Sequence, residues 1–240
     1  MQVKIVYLYH SGVWVDTQKR VLIFDYFLDR AQGKRSLENG VVSAADLSGR
    51  DVSVFASHSH QDHFNPVIFN WQHNAQKIEY YLSNDIHVKN NARFVAKGDT
   101  IKADDDLNIT VFGSTDKGVS FWVETDGLKI FHAGDLNLWH WRGESSPAQV
   151  AAAENAFIKE MQPIAQLGSV DIAFFPVDPR MGEGYAAGAR YYLEHVRPKL
   201  FVPIHFADDF ATVQSFTRYA DANTKIFMPS RRGASFTAEF

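Results

Sequence analysis

The sequence predicts a mixed fold of the α+β or α/β class, and three observations carry that expectation. Short runs of β-branched and aromatic residues crowd the first quarter of the chain, a signature of strands rather than helices. The last third alternates strand-like and helix-like segments, the pattern that builds α/β layers. Three apolar strands run into histidine or aspartate: Val52–Ala56 into His58, Leu128–Phe131 into His132 and Asp135, and Leu200–Ile204 into His205. Strand ends are rigid and the loops beyond them accessible, which is where α/β sheets keep their sites.

Taken in order, Val3–Tyr9, Val13–Asp16 and Val21–Phe27 read as strands, with His10-Ser11-Gly12 as a turn between the first two. A short helix fits Ser43–Leu47, and Val52–Ala56 is a compact apolar strand. Asn65 and Pro66 suit the cap and first turn of a helix running to about Ala75. Strands follow at Ile78–Leu82, Leu107–Phe112, Val119–Glu124 and Leu128–Phe131, and Asp126-Gly127 marks a hairpin between the last two. Ser146-Pro147 opens a helix to about Met161, with Pro163 expected to kink or end it. Strand Val170–Val177, helix Glu183–Val196, strand Leu200–Ile204, helix Asp208–Ala220 and strand Lys225–Met228 complete the chain.

A chain of 240 residues suffices for one well-buried domain, and no linker, repeat or low-complexity tract divides it, so a single domain over residues 1–240 is expected. The net charge of −4 argues against a nucleic-acid partner, which calls for a basic surface. With no cysteine there is neither a disulfide nor a thiolate site, so any metal must be held by His, Asp and Glu. The N-terminus lacks a signal-peptide apolar stretch and no run long enough for a membrane span occurs, so a cytoplasmic location is expected.

His58-Ser59-His60-Gln61-Asp62-His63 packs three imidazoles and a carboxylate into six residues. In an extended segment His58 and His60 project to one side, and a turn through Gln61 and Asp62 presents Asp62 and His63 elsewhere. One loop thus serves two adjacent metal positions. Burying three histidines with nothing to bind would be costly. Imidazole and carboxylate suit one or two divalent ions, zinc first, with manganese or iron also matched by the donors.

This segment resembles the His-x-His-x-Asp-His signature of the metallo-β-lactamase superfamily. Tyr9-His10-Ser11-Gly12 followed by Val21–Asp25 is similar to the opening strands of its small lactonase-like, ascorbate-6-phosphate lactonase-like branch. Phe131-His132-Ala133-Gly134-Asp135 looks like that branch's Gly-Asp motif, and Val202-Pro203-Ile204-His205-Phe206 like its last ligand motif. The resemblance implies a four-layer αβ/βα sandwich. It assigns His58 and His60 to a first metal, Asp62, His63 and His205 to a second, and Asp135 to a place between them. Relatives carry a third first-site histidine in a Gly-His-Thr-Pro-Gly-like segment; the matching stretch here, Gly113–Gly118, has Ser114 in its place.

The function expected is hydrolysis of a small cytoplasmic metabolite, a lactone or phosphate ester, with Asp62 as the catalytic carboxylate. The alternative, raised by Ser114, is a metal-binding protein of the same fold with little or no hydrolytic activity. His132 and Arg180 are candidates for substrate contact. Asp178 and Arg180 are weighed as rim groups, Arg180, Arg142 and the Arg231-Arg232 pair as binders of a substrate phosphate or carboxylate, and Trp139-His140-Trp141 as a wall. For the arginines a surface role is the simpler reading of each. His10, His73, His87 and His195 have no cluster around them in sequence and read as structural or surface residues. Asp104-Asp105-Asp106 reads as a solvated turn.

Overall fold

The computed structural model describes residues 1–220 and 222–240. The chain divides into two compact units, Met1–Ala96 with Pro229–Phe240, and Lys97–Met228, each built on one seven-stranded sheet.

Numbered along the chain, the strands of the first unit are β1 (Gln2–Tyr9), β2 (Gly12–Asp16), β3 (Arg20–Phe24), β4 (Asp51–Ala56), β5 (Lys77–Ser83) and β6 (Arg93–Val95). The second unit holds β7 (Thr100–Lys102), β8 (Asn108–Phe112), β9 (Ser120–Thr125), β10 (Leu128–His132), β11 (Ile172–Pro176), β12 (Leu200–Ile204) and β13 (Lys225–Ile226). The chain returns to the first sheet with β14 (Ser235–Glu239).

In the first unit the strand order is β14-β1-β2-β3-β4-β5-β6. The pairs from β14 to β3 are antiparallel, and those from β3 to β6 parallel. Strands β3, β4 and β5 therefore point the same way, and their C-terminal ends deliver Asp25, the Ser57–His63 loop and Asp85 to one edge. The sheet is fully buried where it needs to be: Val21, Leu22, Ile23, Phe24 and Phe55 have no exposed surface. Trp14, Tyr26, Ile68, Trp71 and Tyr80 pack on one face of it. Helix α1 (Ala44–Leu47) carries a capping box from Ser43 and Asp46.

In the second unit the order is β13-β12-β11-β10-β9-β8-β7. The Asp126-Gly127 turn has positive φ at both residues, as the type I′ geometry requires. Strands β10 to β13 are parallel, so their C-terminal ends carry Asp135, Asp178 and His205 to one edge. Helix α2 (Pro147–Ala165) begins on the Ser146 capping box; α3 spans Ala187–Val196 and α4 Phe210–Gln214. Among the described residues no helix is long and apolar enough to cross a membrane.

Several boundaries differ from expectation for identifiable reasons. Strand β3 stops at Phe24 rather than Phe27, because Asp25 turns to a φ of 45° and spends its carboxylate on the next strand's loop. Helix α2 continues past Pro163, since buried Phe157, Met161 and Ile164 form a stripe that holds the last turn down. The segment after Asn65 is a 3-10 helix, Pro66–His73, rather than α. The Glu183–Val196 helix is a 3-10 turn, Pro179–Gly184, followed by α3, and the Asp208–Ala220 helix is α4 followed by a 3-10 turn. Strands β6, β7 and β14 were not expected: each is short or largely exposed and carries little hydrophobic pattern.

Candidate metal centre

In the first unit Asp25 is the anchor of the histidine loop. Its Oδ1 accepts from the Ser57 amide at 2.7 Å and its Oδ2 from the Ser57 hydroxyl at 2.8 Å. The same Oδ2 lies 2.8 Å from His63 Nδ1, with both side chains essentially without exposed surface. The single proton of the Ser57 hydroxyl goes to Asp25, so the hydroxyl accepts from His58 Nδ1, 2.9 Å away. His58 and His63 are thereby both held with the proton on Nδ1 and the lone pair on Nε2, the tautomer that binds a metal. His58 Nε2 stands 2.9 Å from His60 Nδ1. Two nitrogens on one tetrahedral ion at about 2.0–2.1 Å would stand about 3.3 Å apart, so the pair is close to ligating spacing. From the other side Asp85 Oδ2 accepts from the Ser59 amide at 3.0 Å. Burial would raise the Asp85 carboxyl, but hydrogen bonds from Ser83 and Ser59 outweigh it and hold it below the usual range.

His10 joins this group, against the expectation that it stands apart. It occupies the β1–β2 turn with a φ of 55°, and its amide donates to the Tyr7 hydroxyl at 2.8 Å. Its Nε2 lies 3.4 Å from Asp62 Oδ2, and its ring is edge-on to His63 at 5.5 Å. The His10 hydrogen bond, with the nearby His63 ring, outweighs partial burial and holds the half-exposed Asp62 carboxyl well below the usual carboxylate range. One ligand atom from each of His10, Asp62 and His63 falls within 4.8 Å of the others.

The second unit repeats the device with residues far apart in sequence. His205 follows β12 with a φ of 68°, its Nδ1 3.0 Å from Asp178 Oδ2 and its Nε2 3.1 Å from Asp135 Oδ1. Burial pushes the Asp178 carboxyl up, but hydrogen bonds from His205 and Arg180 win and hold it well below the usual range. Asp135 is 5% exposed and sits on a turn through Gly134, φ 54°. The Trp139 indole donates to the Asp135 carbonyl at 2.8 Å, and its ring lies 5.3 Å from the His205 ring.

His132, a candidate for substrate contact, is fully enclosed. Its Nδ1 accepts from the Gly134 amide at 3.1 Å and its ring packs near Phe174, so it braces the turn that presents Asp135. Arg180 is different: its side chain is 62% exposed and lines a cavity of about 670 Å³ with His140, Trp141, Arg142 and Glu183. His140 is buried, and burial together with Arg142 lowers its pKa. Gly184 gives it room, since a Cβ there would stand 2.1 Å from His140 Cε1.

The other candidates settle into structural roles. Arg232 donates to the carbonyls of Leu8, Leu28, Arg30 and Gly40, and Arg231 to those of Glu38 and Arg232, so this pair ties the C-terminal segment to strand β1 and to the stretch between β3 and β4. Arg142 pairs with Glu154. Asp104 and Asp106 accept backbone amides in the expected turn. His195 stacks on Tyr191. Ser114 accepts the Asp116 amide at 3.2 Å.

The donors presented are imidazole nitrogens and carboxylate oxygens with carboxylates or a serine hydroxyl behind them, a set that fits a divalent transition metal. Sequence reasoning missed Asp25, Asp85 and His10. The signal available for Asp25 and Asp85 was a place just beyond an apolar strand; nothing comparable marked His10.

No protein-family model matches the chain. A UPF0173 metal-dependent hydrolase of Bacillus licheniformis is 25% identical over 230 residues, 85% of each chain. Igni18, a metallo hydrolase of the archaeon Ignicoccus hospitalis, matches over 100% of both chains with a TM-score of 0.71 and 21% identity. The metallo-β-lactamase fold protein YhfI of Bacillus subtilis matches over 99% of both with a TM-score of 0.60 and 12% identity. The chain has the metallo-β-lactamase fold, as the fold class read from the sequence implied, and is a homologue of proteins named metal-dependent hydrolases.

Proposed function

We propose that the chain is a metal-dependent hydrolase acting on a small cytoplasmic metabolite of the lactone or phosphate-ester class. In this reading residues 1–240 act as one domain. His58 and His60 hold a first ion, Asp62, His63 and His205 a second, and Asp135 stands between them. The observation that carries the proposal is the pair of buried carboxylate–imidazole contacts, Asp25–His63 and Asp178–His205, on the two histidines that separate motifs single out. A bound divalent ion, zinc by preference with manganese or iron as alternatives, supplies Lewis acidity and lowers the pKa of water near neutrality.

The chain's own residues do the rest. Asp62 is ionised and half-exposed, so it orients the attacking water by accepting a hydrogen bond from it. Asp25 and Asp178 fix the His63 and His205 rings with Nε2 outward. Trp139 covers His205 and keeps bulk water from that side. Arg180, held by Asp178, presents its guanidinium to an anionic substrate group.

The experiment is metal analysis of purified protein beside turnover of lactone and bis(p-nitrophenyl) phosphate substrates. Bound metal with chelator-sensitive turnover is expected. Ser114, which caps a turn where a ligand is usual, favours a second reading of metal binding with little hydrolysis. Near-stoichiometric metal with no turnover across the panel decides for that second reading.

A further inference from the structure

We infer that the cavity of about 670 Å³ in the second unit seats the end of the substrate away from the bond that is cleaved, and that His140 and Arg180 there select a carboxylate. The inference rests on the hydrolase reading above and concerns which group its substrate carries.

The residues lining the cavity all belong to the second unit. Strands β10 and β11 run parallel, so the segments that follow them, 133–146 and 177–184, leave the sheet at the same edge. The first segment turns at Trp141, φ 42°, whose carbonyl accepts from the Glu144 amide at 2.8 Å. Trp141 stacks on Trp139 at 6.0 Å, and Trp139 in turn lies 5.3 Å from the His205 ring. An aromatic path therefore leads from the cavity to His205, and a substrate whose flat or apolar body lies on Trp141 reaches toward that histidine. The volume is that of an ordinary small-molecule site.

His140 supplies the selective donor. It is 2% exposed, and its Nδ1 accepts from the Arg142 amide at 3.4 Å, so the neutral ring carries its proton on Nε2. Burial and Arg142 both disfavour the charged ring, which keeps it in that form. The Cε1–Nε2 edge faces Gly184 on the cavity wall, where the absence of a Cβ leaves room for it. Among the described residues no acceptor pairs with Nε2, so a buried N–H is directed at the cavity. Arg180 adds a guanidinium, its side chain 62% exposed while Nε and Nη2 hold Asp178. An imidazole N–H and a guanidinium suit the two oxygens of a planar carboxylate. Each arginine of the lining is offset by a carboxylate, Asp178 for Arg180 and Glu154 for Arg142, and the lining adds Glu144 and Glu183. Two directed donors suffice for one negative charge, whereas the second charge of a phosphate would face those glutamates with no surplus cation to meet it.

The test is isothermal titration calorimetry of the metal-loaded protein with phenylacetate, its uncharged isostere phenylacetamide and the doubly ionisable benzylphosphonate. Beside it, the effect of phenylacetate on turnover of the lactone and bis(p-nitrophenyl) phosphate substrates is measured. Wild type is expected to bind phenylacetate about tenfold more tightly than either of the other two, and phenylacetate should inhibit turnover competitively. Arg180→Met and His140→Phe should each bring phenylacetate down to the affinity of the amide. His140→Phe keeps a ring in the buried position; should it fail to fold, Arg180→Met, at a largely exposed side chain, decides alone. Equal affinity for acid and amide in wild type overturns the inference. So does a preference for the acid that survives the substitutions, since the carboxylate then sits on the metal instead. Tighter binding of benzylphosphonate, or binding of phenylacetate that leaves turnover uninhibited, overturns it as well. The expected binding pattern in a protein that turns over neither substrate overturns the hydrolase reading and leaves the cavity's choice of a carboxylate standing.

Discussion

The two units present metal donors by the same chemistry from opposite kinds of sequence. In the first, His58, His60, Asp62 and His63 are neighbours on one loop after one strand. In the second, Asp135 and His205 are separated by 69 intervening residues and meet because β10, β11 and β12 are parallel. Yet His63 and His205 are each held through Nδ1 by a buried aspartate, Asp25 at 2.8 Å and Asp178 at 3.0 Å. A compact motif and a dispersed one converge on one device because a metal needs the same tautomer from both. The units differ in what surrounds the device: the first adds an imidazole, His10, beside Asp62, and the second adds a guanidinium, Arg180, beside Asp178.

The largest effect should come from removing a ligand from either side. Asp62→Ala and His205→Ala should each lower turnover by about 10²–10⁴-fold and release metal together with activity. Retained activity in both would break the assignment.

Next in size are the anchors. Asp25→Asn and Asp178→Asn should each weaken metal affinity by about 10–100-fold, measured by competition with a chromophoric chelator. Similar losses support the equivalence of the two units; a loss in only one shows that the likeness is superficial.

Stability against pH separates the anchors further. The Asp178 carboxyl is depressed in the folded chain, so its contribution is present above the ordinary aspartate value of 3.8 and fades as pH falls below it toward the folded value. In denaturant titrations of metal-free protein, wild type should exceed Asp178→Asn at pH 7, and the gap should narrow below about pH 4. A gap that is constant with pH contradicts the ionised state assigned here.

The smallest effect belongs to a residue outside the comparison. Arg232→Met leaves carbonyls of Leu8, Leu28, Arg30 and Gly40 without their donor and should cost about 1–3 kcal/mol in stability. Metal content should not change, because none of the lost bonds involves a candidate ligand.

What was legible in the sequence follows the same division. The ligand loop could be read directly because its spacing is local, and Asp135 and His205 because each follows an apolar strand. Asp25 and Asp178 were visible only as residues at strand ends, since their role depends on which strands pair in parallel. His10 was read as isolated because its partner, Asp62, is 52 positions away and is reached only through the β1–β2 turn. The burial of His132 was hidden for a related reason: its neighbour is Phe174 on the adjacent strand β11. Edge strands such as β6 and β14 lacked pattern because solvent, not a core, faces most of their side chains.

The central claim is that the aspartate-anchored histidines, His63 and His205, are metal ligands. Anomalous diffraction at the metal's absorption edge, on crystals of the metal-loaded protein, tests it most directly. The account predicts an anomalous peak within bonding distance of His63 Nε2 and one within bonding distance of His205 Nε2. No anomalous peak at either side chain would contradict it.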